Sequence, residues 1–192
     1  MLVTRGEKSL LVLGGARSGK SRFAQAWAQA LPGDLVYVAT AQALDAEMAQ
    51  RIARHRDDRD ARWRTVEAQL DLAEAIGAES RADSVLLVDC LTLWASNLLF
   101  AERDVGVALR ALADAVNDAA GPVIFVSNEV GLGIVPDNAL ARRFRDMAGD
   151  INQGVARFAD RVVFVAAGLP LTLKPAPQAM DSGQDRPIYR SV

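Results

Sequence analysis

The sequence predicts an α/β domain built on a mostly parallel sheet with helices on both faces. Three observations carry this. Five short runs are nearly all apolar: Leu10–Leu13, Leu35–Ala39, Val85–Val88, Val123–Val126 and Val162–Val165. Such runs suit strands covered on both sides. Helical patterns fall between them, and strands alternating with helices form parallel βαβ units. A glycine-rich turn separates the first run from the first helix.

Taken in order, Ser9–Leu13 is the first strand. It leads into Gly14-Gly15-Ala16-Arg17-Ser18-Gly19-Lys20-Ser21, the pattern G-x-x-x-x-G-K-S. Ser21–Leu31 carries apolar Phe23, Ala26, Trp27, Ala30 and Leu31 at helical spacing. Strand, glycine loop and helix are the context that a phosphate-binding loop needs. Glycines let main-chain N–H groups curl toward phosphate oxygens, and the helix N-terminus places partial positive charge beneath them. Lys20 would bridge the terminal phosphates, and the Ser21 hydroxyl would join a Mg2+ shell. The pattern therefore points to a nucleoside triphosphate.

Beyond the second strand, helices are expected over 43–57, 69–79, 104–120 and 138–160. The third strand ends in Asp89, a carboxylate that in P-loop proteins sits beside the phosphates and holds the metal. It could equally cap a helix over Leu91–Phe100. Ser127-Asn128-Glu129 closes the fourth strand, where polar residues either face a ligand crevice or satisfy the turn that follows. Leu171–Leu173 is expected to add a short edge strand. The domain is expected over 1–174, with a loose tail over 175–192.

Bulk properties narrow the class. The chain has 192 residues, 51% hydrophobic and 24% charged, with 22 basic and 24 acidic side chains. That balance argues against a general nucleic-acid or membrane-surface binder. Cys90 is the single cysteine, which excludes an internal disulfide and suits a reducing compartment. It closes an apolar run and reads as core. The first eight residues lack the apolar stretch of a signal peptide, and no run is long enough to span a bilayer. A cytoplasmic protein is the expectation.

His55 is the single histidine. On a helix over 43–57 it falls within roughly 20° of Leu44, on the stripe formed with Met48 and Ile52. A packed, structural imidazole is one reading. Arg51, Arg54, Arg56 and Arg59 supply the other, since nearby guanidiniums disfavour imidazolium and keep the ring nucleophilic. Asp57, Asp58 and Asp60 offset them, so charge alone leaves the choice open.

An ordered series of motifs then becomes recognisable. It runs from Gly14–Ser21 through Tyr37-Val38-Ala39-Thr40-Ala41; Asp45, Glu47, Met48, Arg51, Ile52 and His55; Trp63-Arg64-Thr65-Val66-Glu67; Asp89-Cys90-Leu91-Thr92-Leu93-Trp94 with Asn97; Asn128-Glu129-Val130-Gly131 to Pro136; and Arg143–Asp146 with Gly149, Asn152 and Gln153. Over roughly residues 9 to 174 the chain resembles the bifunctional adenosylcobinamide kinase / adenosylcobinamide-phosphate guanylyltransferase family of cobalamin biosynthesis.

The resemblance implies a RecA-like P-loop NTPase fold, a homotrimer, GTP and ATP as substrates, and Mg2+. It implies phosphorylation of adenosylcobinamide, then transfer of GMP through a guanylylated histidine, which matches His55. It also implies nucleotide contacts from Gly14, Gly15, Ala16, Arg17, Ser18, Gly19, Lys20 and Ser21, from Ala39, Thr40 and Ala41, and from Arg56, Asp57, Asp58 and Arg59. Asp89 aligns with the family's acidic residue. Glu67 aligns with a carboxylate that could accept guanine N1–H and N2–H together, a pair adenine lacks; a surface charge is the plainer reading. Asp60, Arg62 and Asp150 depart from the family pattern.

Overall fold

The computed structural model describes residues 8–42 and 61–175. The helix expected over 43–57, with His55, and the segment Arg56–Arg59 lie outside the described residues. The elements are β1 (Ser9–Gly14), α1 (Lys20–Gln29), β2 (Asp34–Ala39), β3 (Trp63–Glu67), α2 (Leu72–Glu79), β4 (Ser84–Asp89), α3 (Leu91–Phe100), α4 (Val105–Asn117), β5 (Val123–Asn128), α5 (Ala139–Phe158), β6 (Arg161–Ala166) and β7 (Leu169–Lys174).

The strands form one sheet in the order β3-β2-β4-β5-β1-β6-β7. Every pairing is parallel except β6 with β7. Alternate side chains of each strand point to opposite faces, and here both faces are covered. Leu11, Leu13, Val88 and Phe125 pack with Leu72, Trp94, Leu112 and Ile151 of α2, α3, α4 and α5. Leu10, Val12, Leu87 and Val126 pack with Ala24, Trp27 and Ala28 of α1. The continuous apolar runs are thus explained: each strand serves two cores.

Side chains set two helix starts. Asp104 accepts from the Val107 N–H at 2.8 Å ahead of α4, and Asn138 from the Ala141 N–H at 2.7 Å ahead of α5. Helix α2 begins three residues later than the pattern suggested, at Leu72 rather than 69. The Gln69 and Leu70 carbonyls are instead taken by Asn97 and Trp94.

One strand has no counterpart among the apolar runs. β3 pairs only with β2, at the sheet's edge. Its residues Trp63-Arg64-Thr65-Val66-Glu67 are half-buried or exposed, so no apolar run announces it. Among the described residues no helix is long and apolar enough to cross a membrane.

The start of β1 is tied down by Asp160. Its Oδ2 accepts from the Lys8 N–H at 2.8 Å, the Ser9 N–H at 2.9 Å and the Ser9 hydroxyl at 2.8 Å. Desolvation pushes this carboxyl up, but the bonds from Lys8 and Ser9 together outweigh it and hold it below its usual value of 3.8. A depressed carboxyl stabilises the fold above its ordinary pKa and loses that contribution as pH falls through the folded value. Asp160→Asn is expected to lower stability at pH 7, by on the order of 1 kcal/mol after allowance for solvent screening. In urea unfolding at stepped pH, the gap to the wild type should close below the ordinary carboxyl pKa.

Candidate nucleotide site

Parallel strands deliver their carboxyl ends to one edge, and there the sequence places its polar residues. Gly14 ends β1 and opens the loop. A Cβ there would lie 2.5 Å from both the Ser18 Oγ and the Val165 carbonyl oxygen, so no side chain fits. Gly19 caps α1 with φ at 94°, a conformation that glycine adopts without strain. The Ser18 carbonyl accepts from the Gly168 N–H at 2.8 Å. The tip of the β6–β7 hairpin therefore braces the loop from outside. Lys20 is buried, and its ammonium donates to the Gly15 carbonyl at 3.1 Å. Ser21 lies in the first turn of α1, Ala16 and Arg17 are exposed, and no acidic residue occupies that turn.

Asp89 stands at the carboxyl end of β4, half-buried. It is not the helix cap: Cys90 holds the N-cap position of α3, with no side-chain capping bond. The cap alternative falls. Ser21 hydroxyl and Asp89 carboxylate are hard oxygen donors of the kind Mg2+ takes alongside phosphate oxygens. Such a site needs one or two protein ligands. Among the described residues no group of three or more metal-binding side chains occurs.

Strand β5 separates β1 from β4, so its end lies between the loop and Asp89. Gly14 pairs with Asn128, and the Glu129 N–H donates to the Gly14 carbonyl at 3.1 Å. Behind them sits a buried polar network. Ser127 donates to Asn152 Oδ1 at 2.6 Å, the Asn128 N–H donates to the Thr92 hydroxyl at 2.7 Å, and Asn152 Nδ2 donates to the Asn128 carbonyl at 3.1 Å. Ser127 and Asn128 thus answer main-chain and neighbouring side-chain demands, while Glu129 stands at the loop. The role of Asn152 was not legible: it occupies mid-helix, and only its polarity on the apolar stripe of Ala148, Ile151 and Val155 could have signalled it.

Thr40 is fully buried. Its hydroxyl donates to the Cys90 carbonyl and accepts from the Cys90 N–H, both at 2.8 Å. Its main-chain N–H donates to the Asp89 carbonyl at 3.4 Å, and its carbonyl accepts from Asn97 at 2.8 Å. The side chain locks β2 to β4; Ala39 and Ala41 on either side of it are half-buried, Ala39 packed against the core beneath α1. Burial and the Asp89 charge push the Cys90 thiol up to about 11, so it is protonated and inert at neutral pH, as a core residue. Glu67 ends β3 beside Ala39, exposed, with Oε2 accepting from Gln69 at 3.2 Å. Four strand spacings separate it from β1, about 19 Å along the edge.

The geometry is that of a P-loop site at the carboxyl edge of a parallel sheet, and relatives agree. The family model described as cobinamide kinase / cobinamide phosphate guanyltransferase matches residues 10–173. The chain belongs to this family. The bifunctional adenosylcobalamin biosynthesis protein CobP of Pseudomonas aeruginosa is 48% identical over 87% of this chain and 98% of its own. The protein CobU of Salmonella typhimurium is 43% identical over 86% of this chain and 99% of its own, and that of Escherichia coli K12 is 42% identical over the same shares. Among solved structures, a Pyrococcus horikoshii OT3 protein superposes with TM-score 0.50 at 9% identity, over 86% of this chain and 85% of that one. The type III secretion ATPase EscN of enteropathogenic E. coli also gives 0.50, at 12% identity, over 84% of this chain and 43% of that one. These two speak for the fold alone.

Family membership does not alter the physical role of Thr40. Thr40→Val keeps its shape and strands the Cys90 N–H in the core, while the Cys90 carbonyl keeps its bond from the Trp94 N–H. Urea unfolding should register a loss of about 1–3 kcal/mol, and Thr40→Ser, which keeps the hydroxyl, should recover much of it.

Proposed function

We propose that this chain carries out both reactions of its family: it phosphorylates adenosylcobinamide from a nucleoside triphosphate, then transfers GMP from GTP to adenosylcobinamide phosphate. The observation that carries this is the intact phosphate loop, with Lys20, Ser21 and Asp89 on one edge, in a chain whose relatives, matched over 98–99% of their length, are named as bifunctional.

The loop amides of Gly14, Gly15, Ala16, Arg17, Ser18 and Gly19 and the Lys20 ammonium bind the triphosphate. Ser21 and Asp89 would hold Mg2+, which when bound neutralises phosphate charge. In the first reaction the cobinamide hydroxyl oxygen bonds to γ-phosphorus and the nucleoside diphosphate leaves. In the second, a neutral His55 nitrogen bonds to α-phosphorus and pyrophosphate leaves. A phosphate oxygen of adenosylcobinamide phosphate then takes the GMP and frees the imidazole. His55 belongs to the 43–60 segment, which the chain enters from Gln42, at the same edge as the phosphate loop. Arg56, Asp57, Asp58 and Arg59 are read as nucleotide contacts, with Ala39 and Ala41 at the strand end; Thr40, fully buried, holds that end in place from within rather than facing the nucleotide. Glu67 reads guanine; an extended nucleotide lying along the edge would reach from the loop toward it.

The domain is read as 1–174 with a C-terminal tail, working in the cytoplasm as a homotrimer. Exposed apolar side chains support assembly: Leu169, Leu171 and Leu173 on β7, and Leu132, Ile134 and Val135 after β5. Light scattering behind size exclusion should return three times the chain mass. With GTP labelled in the α-phosphate, the quenched protein should carry acid-labile label, and His55→Ala should carry none while still phosphorylating adenosylcobinamide. Label retained in His55→Ala would refute the histidine route. Full absence of label in the wild type would leave a single-activity kinase with a structural His55.

A further inference from the structure

We propose that Glu129 is the base that takes the proton from the cobinamide hydroxyl in the kinase reaction, a role that rests on the kinase reading above. Three carboxylates close or directly follow strands at the carboxyl edge among the described residues: Glu67 after β3, Asp89 after β4 and Glu129 after β5. Glu67 lies four strands from the phosphate loop. Asp89 is read as a metal ligand, and a carboxylate spent on a cation is a poor proton acceptor. Glu129 is the one joined to the loop itself, through its N–H and the Gly14 carbonyl at 3.1 Å.

Its setting suits a positioned base. The two residues before it are fixed by Thr92 and Asn152, at 2.6–3.1 Å. The side chain is half-buried, and its Oε1 accepts from the Gly131 N–H at 2.7 Å. One oxygen is thereby oriented, and Oε2 has no bond to the described residues. A general base needs that arrangement: a fixed carboxylate with an oxygen left for the reacting proton.

The step balances as follows. The hydroxyl oxygen bonds to γ-phosphorus as the bond from γ-phosphorus to the β–γ bridging oxygen breaks. That electron pair leaves on the nucleoside diphosphate. The hydroxyl proton passes to the Glu129 carboxylate and from there to water. The guanylyl steps make no such demand: neutral imidazole attacks first, and an ionised phosphate attacks second. Glu129 therefore separates the two activities.

Glu129→Gln keeps the size and the oxygen that accepts from Gly131. Three quantities are measured on the full chain: GTP affinity, GMP transfer to supplied adenosylcobinamide phosphate, and kinase turnover of adenosylcobinamide. Kinase kcat should fall about 100-fold or more, with GTP affinity and GMP transfer at wild-type levels and partial kinase recovery in Glu129→Asp. Kinase turnover preserved in Glu129→Gln overturns the proposal. So does a parallel loss of all three, which would mark a residue that only shapes the loop. A wild-type enzyme that transfers GMP but never phosphorylates adenosylcobinamide would remove the kinase reading itself, a result distinct from either.

Discussion

The site depends on hydrogen bonds that close the carboxyl edge of the sheet. Where parallel strands end, main-chain groups leave the ladder and must find new partners. Here side chains from a different element supply them. Thr40 ties β2 to the start of α3, Asn97 reaches from α3 to β2 and the turn after β3, Thr92 ties α3 to β5, and Asn152 ties α5 to β5. Each link sits in a region where an orphaned polar group costs about 1–3 kcal/mol. The edge is consequently a rigid platform, and that rigidity lets loops of glycine and carboxylates hold their places.

On that platform charge is arranged by position. Lys20 and the first turn of α1 bring positive potential to the end of β1, with no acidic residue in that turn to cancel it. Glu129 follows the neighbouring strand β5, and Asp89 closes β4 one strand further on. In the proposed chemistry the triphosphate lies at the loop and the cation beside Asp89, and β5 sets the gap between those strand ends. The same platform serves two phosphorus atoms of a triphosphate in the proposed chemistry, so discrimination between them falls to the attacking groups rather than to the loop.

Much of this was legible in the sequence, for identifiable reasons. The phosphate loop is a local motif whose chemistry depends on contiguous residues. The buried strands announce themselves because each feeds two cores. Edge strand β3 did not, since Trp63–Glu67 feeds little of either. The duty of Thr40 was also hidden: its partner Cys90 lies fifty residues away, and only the β2–β4 register brings them together. Asn152 was hidden in the same way, since a polar residue inside a helix declares its partner only once the helix is docked. Asp89 was half legible, its two readings separated by where the α3 cap falls.

The contact between Ser18 and Gly168 carries a consequence for how the protein is made. The phosphate loop is encoded near the beginning of the chain, yet one of its carbonyls is met by an amide from the last hairpin. During synthesis that partner emerges well after the loop itself. The Ser18 carbonyl gains its partner only when the β6–β7 hairpin has folded against it, so the finished shape of the loop depends on a segment made much later.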